Sequence, residues 1–101
     1  MAITKKPLKV RPECRVTFTY QPGDGGKHDV ELRGDFNDWG KESLPLKRQR
    51  DGSYRVTVNL PQDGEYAFRY LVDDEHWDND EAADAYVPNP FGTGDNGLLR
   101  T

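Results

Sequence analysis

From Val16 to Tyr20, apolar Val16, Phe18 and Tyr20 alternate with Thr17 and Thr19, the two-residue period of a strand with one buried face. The run Gln21-Pro22-Gly23-Asp24-Gly25-Gly26 ends it in turn residues. Val30 and Leu32 open a second strand that enters the corner Gly34-Asp35-Phe36-Asn37-Asp38-Trp39. Leu44 and Leu46 flank Pro45, which suits an edge strand because proline cannot donate to a central ladder. An Asp51-Gly52 turn precedes the alternation of Tyr54, Val56, Val58 and Leu60 with Arg55, Thr57 and Asn59. After Pro61-Gln62-Asp63-Gly64, Tyr66, Phe68, Tyr70 and Val72 take the inward parity. Ala67, Arg69 and Leu71 are thereby assigned to the opposite face, so Arg69 is expected to point away from the core.

An acidic connection, Asp73 to Asp84, separates that strand from Tyr86-Val87-Pro88 and from a last short strand at Leu98-Leu99. The stretch Glu81 to Ala85 is the only helical candidate, worth one turn because Pro88 follows so soon. Residues 1–13 are basic and carry Pro7 and Pro12, and are expected to form a flexible arm with a short edge segment; residues 14–101 then form the domain. Seven or so strands at this spacing predict an all-β, immunoglobulin-like sandwich.

Composition sharpens this picture. Leu, Ile, Val and Phe make up only about a fifth of the 101 residues, near the level at which disorder begins, so the placement of these residues argues for folding more than their number does. One domain of this size holds a modest core but not a deep enclosed cleft as well. The net charge of -4, with cations and anions interleaved, argues against a nucleic-acid partner, since no basic stripe is available to release counterions. The lone Cys14 forms no intrachain disulfide, and no apolar stretch resembles a signal-peptide core or a membrane span, so a cytoplasmic setting is expected.

Two tryptophans stand in polar turn surroundings, Trp39 closing the corner and Trp77 following Phe68-Arg69-Tyr70-Leu71-Val72-Asp73. An exposed indole offers a flat face to the C–H side of a sugar ring, and Arg69 supplies a planar fork of donors for neighbouring hydroxyls. The alternatives are a Trp39 that seals the sandwich edge and an Arg69 that is an ordinary solvated strand residue. Asp78-Asn79-Asp80-Glu81 with Asp84 lacks the glycine and terminal glutamate of a calcium loop and is expected to be a solvated acidic loop. His28 and His76 have no Cys or His neighbour at metal-ligand spacing, and Cys14 has no evident base. A carboxylate dyad such as Asp35 with Asp73 has no deep pocket to tune it. No metal, cofactor or catalytic residue is expected.

The ordered set Leu32-Arg33-Gly34-Asp35-Phe36-Asn37-Asp38-Trp39, Asp51-Gly52-Ser53-Tyr54, Leu60-Pro61-Gln62-Asp63-Gly64-Glu65-Tyr66, Tyr70-Leu71-Val72-Asp73 and Asn89-Pro90-Phe91-Gly92 with Asn96 resembles the family 48 carbohydrate-binding modules. These are the early-set domains of glycogen-branching and isoamylase-type enzymes, and include the glycogen-binding domain of the AMP-activated protein kinase β subunit. The resemblance covers about Val16 to Leu99. It implies a non-catalytic module for α-1,4-linked glucan (glycogen, starch or malto-oligosaccharide), with Trp39 and Trp77 stacking on glucose, Arg69 beside the sugar, and Asn96 and Thr93 bonding hydroxyls. Read from the residues alone, Thr93 and Asn96 are turn formers ahead of ligands, because glycine-rich Asx turns use the same residue types. The Asp73 to Trp77 turn is one residue longer than the kinase-type version, and an extra residue in Gly94-Asp95-Asn96-Gly97 makes Asp95 a rival to Asn96. Two other roles fit the same residues: a docking module for a protein partner in glycogen metabolism, and the N-terminal accessory domain of a branching or debranching enzyme.

Overall fold

The computed structural model describes residues 2–10, 12–22, 27–41, 43–80, 82–88 and 94–101. Two antiparallel sheets pack face to face. The first has the order β1 (Ala2–Pro7), β2 (Glu13–Tyr20), β5 (Tyr54–Pro61) and β4 (Lys47–Arg48). The second has the order β3 (Val30–Gly34), β6 (Glu65–Val72), β9 (Asp95–Arg100) and β8 (Ala85–Pro88), with β7 (His76–Asp78) also paired to β6. The immunoglobulin-like sandwich expected from the alternation is therefore the architecture, with nine strands among the described residues.

The edge segment expected within residues 1–13 is the six-residue β1, in register with β2 from Ala2 opposite Thr19 to Pro7 opposite Cys14. The expected Leu44–Leu46 edge strand is instead a crossing segment. Leu32 and Leu46 N–H groups bond Leu44 and Val30 carbonyls on the β3 side, and the chain then switches sheets to pair Lys47 with Arg55. Pro45, which has no N–H to give, makes a single bridge opposite Glu31. Of the helical turn expected over Glu81 to Ala85, Glu81 lies outside the described residues, while the Ala83 N–H bonds the Asp80 carbonyl and Ala85 already belongs to β8.

Six rings run through the space between the sheets. Tyr66, Phe36, Phe18, Phe68, Tyr70 and Tyr20 follow one another with centroid separations of 5.1 to 6.1 Å, and Phe18, Phe68 and Tyr70 are fully buried. Tilted and edge-on contacts of this kind add to the gain from area burial. Val16, Leu32 and Leu99 complete the dry centre.

The polar tips of two tyrosines draw in the acidic connection. Tyr70 Oη donates to Asp80 Oδ2 at 2.8 Å and Tyr20 Oη to Asp78 Oδ2 at 2.7 Å. Asp80 is completely buried, and its other oxygen accepts the Ala82 N–H. The expected solvated acidic loop is thus corrected at these two positions: the carboxylates are acceptors for phenols that the core would otherwise leave unsatisfied. Burial and then the Asp80 charge push the Tyr70 phenol far up, so it stays a donor. Across the open side, Lys5 of β1 pairs with Asp84. Burial alone would raise the Asp84 carboxyl, but hydrogen bonds from Lys5 Nζ and the Arg100 N–H outweigh it and hold the group below its usual range. No helix among the described residues is long and apolar enough to cross a membrane.

Phe68→Ala is expected to cost about 3–5 kcal/mol, and Tyr70→Phe about 1.5–3 kcal/mol because it strips a donor from a buried carboxylate, both read from urea denaturation. For Asp84 the folded pKa is depressed, so its contribution is present above the unfolded pKa and fades as pH falls through the folded value. Lys5→Met should lower the denaturation midpoint at neutral pH, and the gap from the native chain should close in acid as the pH falls below the ordinary carboxylate range and through the depressed folded value of Asp84.

Candidate functional site

The outer face of the five-stranded sheet collects the relevant side chains because register fixes parity. Phe68 and Tyr70 face inward, so Ala67, Arg69 and Leu71 face outward, together with their cross-strand partners Arg33 and Glu31 on β3. Leu71 pairs with Trp77 on β7, which brings that tryptophan to the same face. Asn96 precedes Gly97, the partner of Phe68, and takes the outward parity too. Arg69 therefore lies where the alternation in the sequence placed it.

Trp77 is carried by a tight return. The Glu75 N–H bonds the Val72 carbonyl, and the two residues between them, Asp73 and Asp74, both have positive φ, of 54° and 59°. Two successive left-handed residues are the requirement of a type I′ hairpin turn, and aspartate tolerates them better than most side chains. Asp73 is further fixed by His28, whose Nδ1 lies 2.7 Å from Asp73 Oδ2.

The Trp77 ring is 39% exposed, with the guanidinium carbons of Arg69 and Arg33 at 5.7 and 5.9 Å from its centroid. Both distances are within the reach of a cation–π attraction. Arg33 also donates through Nη2 to Glu31 Oε2 at 3.2 Å.

Trp39 sits in a different kind of frame. The Gly34 N–H donates to Asn37 Oδ1 and Asn37 Nδ2 donates to the Leu32 carbonyl, so a buried amide locks the start of the corner Asp35–Gly40. Asp38 and Trp39 then take left-handed backbone, φ 50° and 56°. The indole is half-buried, and its Nε1–H donates to Asp35 Oδ1 at 2.9 Å while Asp35 Oδ2 accepts the Ala67 N–H at 2.8 Å. One carboxylate thus ties the corner, the indole and β6 together. Gly40 follows with φ 107°, and a Cβ there would lie 2.6 Å from the Arg33 guanidinium, so the corner closes against Arg33.

The remaining predicted positions divide. Asn96 is on the outer face but only 5% exposed, and its Oδ1 accepts no hydrogen bond from the described residues. It belongs to β9, opposite Val87, and is not a turn former. Its rival Asp95 is exposed, opposite Pro88 at the strand end. Thr93 lies outside the described residues. Arg33 and Asp35 were not singled out from the sequence as site residues. Arg33 shares parity with Glu31 on β3, but only the register with β6 brings it opposite Arg69. The four-residue spacing from Asp35 to Trp39 was a visible signal for the indole's partner.

Two grooves of about 480 and 310 Å³ open elsewhere, around His28, Asp29 and Leu46, and none of Trp39, Arg69, Trp77 and Asn96 lines either. A platform for a polymer needs no concavity, so the larger groove does not displace the Trp77 face as the candidate. Among the described residues, no group of three or more His, Cys, Asp and Glu is placed to hold a metal ion.

An immunoglobulin-like sandwich that shows an indole flanked by guanidinium groups on one sheet face defines a class of β-sandwich recognition module. The chain belongs to the family described as the glycogen recognition site of AMP-activated protein kinase, whose model matches residues 14–97. It is similar to the 5'-AMP-activated protein kinase subunit beta-1 of Sus scrofa, 36% identical over 72 residues, which is 71% of this chain and 54% of the relative. It is also similar to the beta-1 subunits of Rattus norvegicus and Homo sapiens, each 33% identical over 92 residues, 91% of this chain and 30% of the relative. The chain thus spans from about a third to about half the length of these relatives.

Asp35→Ala is expected to cost about 1–3 kcal/mol by releasing the indole and the Ala67 N–H together. In a Trp77→Phe background the remaining Trp39 emission should shift to the red, as its ring loses its anchor to solvent.

Proposed function

We propose that this chain is a non-catalytic module that binds α-1,4-linked glucan, glycogen or a starch-like polymer, through the outer face of the five-stranded sheet. The observation that carries the reading is the Trp77 ring, exposed on that face with Arg69 beside it. Family membership over residues 14–97 supports the choice of ligand.

In this reading Trp77 stacks on the apolar side of a glucose ring. Arg69 donates to adjacent hydroxyls without changing protonation. The Oδ1 of Asn96, which meets no donor among the described residues, is the acceptor for a hydroxyl hydrogen. Trp39 supplies a second apolar surface, its tilt set by Asp35, and Thr93 a further hydroxyl. The face is open, so one chain binds weakly, and a branched polymer with many ends raises the apparent affinity through rebinding. A cytoplasmic setting and a protein partner in glycogen metabolism accompany this assignment, the latter supported by the kinase-subunit relatives. An accessory role before a family 13 catalytic barrel has no relative of that kind among those described above.

Retention on immobilised glycogen provides the test. Trp77→Ala is expected to weaken it by about tenfold or more, equivalent to about 1.4 kcal/mol, with smaller losses for Trp39→Ala and Arg69→Ala. Equal retention of the native chain and Trp77→Ala, or no retention of either, rejects the reading. Co-purification with a protein and indifference to maltoheptaose would favour the docking role instead.

A further inference from the structure

We infer that His28 is a positioning residue for the glucan face: paired with Asp73 as an imidazolium, it steadies the return that presents Trp77, and so makes glucan binding tighter in mild acid. The inference rests on the glucan-binding reading above. β7, which carries Trp77, is only three residues long, so its placement depends on how each end is tethered. Downstream, Asp78 accepts the Tyr20 phenol. Upstream, the chain enters β7 through Asp73 and Asp74, both left-handed. Such backbone in residues other than glycine persists only where its surroundings hold it.

The connection before β3 supplies the hold. The Asp73 N–H donates to the Asp29 carbonyl at 2.7 Å, and the Asp29 N–H donates to Asp73 Oδ1 at 2.8 Å. His28 Nδ1 meets the other carboxylate oxygen, Oδ2, at 2.7 Å. His28 is placed in turn by its own N–H, which donates to the phenol oxygen of Tyr54, a buried residue of β5, at 2.9 Å. Among these contacts only the imidazole changes charge between about pH 5 and 8. A neutral imidazole still donates when its proton sits on Nδ1, but the charge-assisted bond is roughly twice as strong.

The charged groups lining the grooves beside the ring attract a cation on balance. Lys27 and Asp29 flank His28 in the chain, Glu31 comes from β3, Arg48 from β4, and Asp73 and Asp74 from the return, with the neutral Tyr54 phenol from β5. These are four carboxylates against two cations. The Asp73 side chain is 45% exposed, so solvent holds the effect to the scale of a surface pair. A return that is ordered for a larger fraction of the time presents the indole for that larger fraction, and apparent affinity follows it. The gain is present below the ordinary histidine range and fades as pH rises through it. It ends in stronger acid, where the Asp73 carboxylate itself takes up a proton.

Titration of the 101-residue chain with maltoheptaose, followed by tryptophan emission at about pH 5.5 and about pH 8, tests this. The native chain is expected to bind about threefold more tightly at the lower pH, the scale of a partly exposed ion pair. His28→Gln should bind at the weaker level at both values. His28→Lys, which keeps a cation beside Asp73, should bind more tightly than His28→Gln and without pH dependence. His76 is the other of the two histidines, and His76→Gln should keep the native ratio. Urea denaturation of each variant at both pH values separates loss of fold from loss of pH dependence. A native ratio near one, with binding intact, overturns the role of His28 and leaves glucan binding standing. A ratio that His28→Gln does not change, or that His76→Gln abolishes, also overturns it, and no binding at either pH removes both readings.

Discussion

The parity of β6 is the constraint on which the rest of the molecule depends. Phe68 and Tyr70 are completely buried between Phe18, Tyr20 and Leu32, and a one-residue slip would exchange them for Arg69 and Leu71. Placing a guanidinium in that dry centre would cost several kcal/mol, so the core admits one register. The same choice that seals the interior therefore presents Arg69 outward and, through pairing with β3 and β7, gathers Arg33 and Trp77 around it.

The acidic connection shows how the interior and the face are joined. Asp78 ends β7 directly after Trp77, and Asp80 follows two residues later. Their bonds to Tyr20 and Tyr70 anchor the chain leaving the exposed indole to the two neighbouring rings at one end of the aromatic row. A ring presented on a segment fixed in this way loses little freedom when a ligand arrives, which favours binding by a shallow surface. Corner and return are built by similar means: left-handed Asp38, Trp39, Asp73 and Asp74, with Asn37 and Asp35 supplying the hydrogen bonds.

Much of this was legible in the chain. Alternation at Val16 to Tyr20, Tyr54 to Leu60 and Tyr66 to Val72 identified three central strands and the outward direction of Arg69, since side-chain period is a local property. What needed the tertiary structure was pairing. Nothing local told that Arg33 meets Arg69, that Pro45 marks a change of sheet, or that two aspartates in a polar run would be claimed by phenols 10 and 58 positions away. Asn96 was misjudged for a related reason: glycines on either side suggested a turn, whereas pairing with β8 and β6 makes the segment a strand.

The segment from Leu44 to Arg48 has one more consequence. By bonding the free margin of one sheet and then that of the other, it zips that flank of the sandwich. Backbone groups able to template an incoming chain are left mainly on the opposite flank, along β1 and β8, where Lys5 and Lys6 stand on the outermost strand. Lysines at such a margin discourage fibril-like stacking of identical copies of the domain.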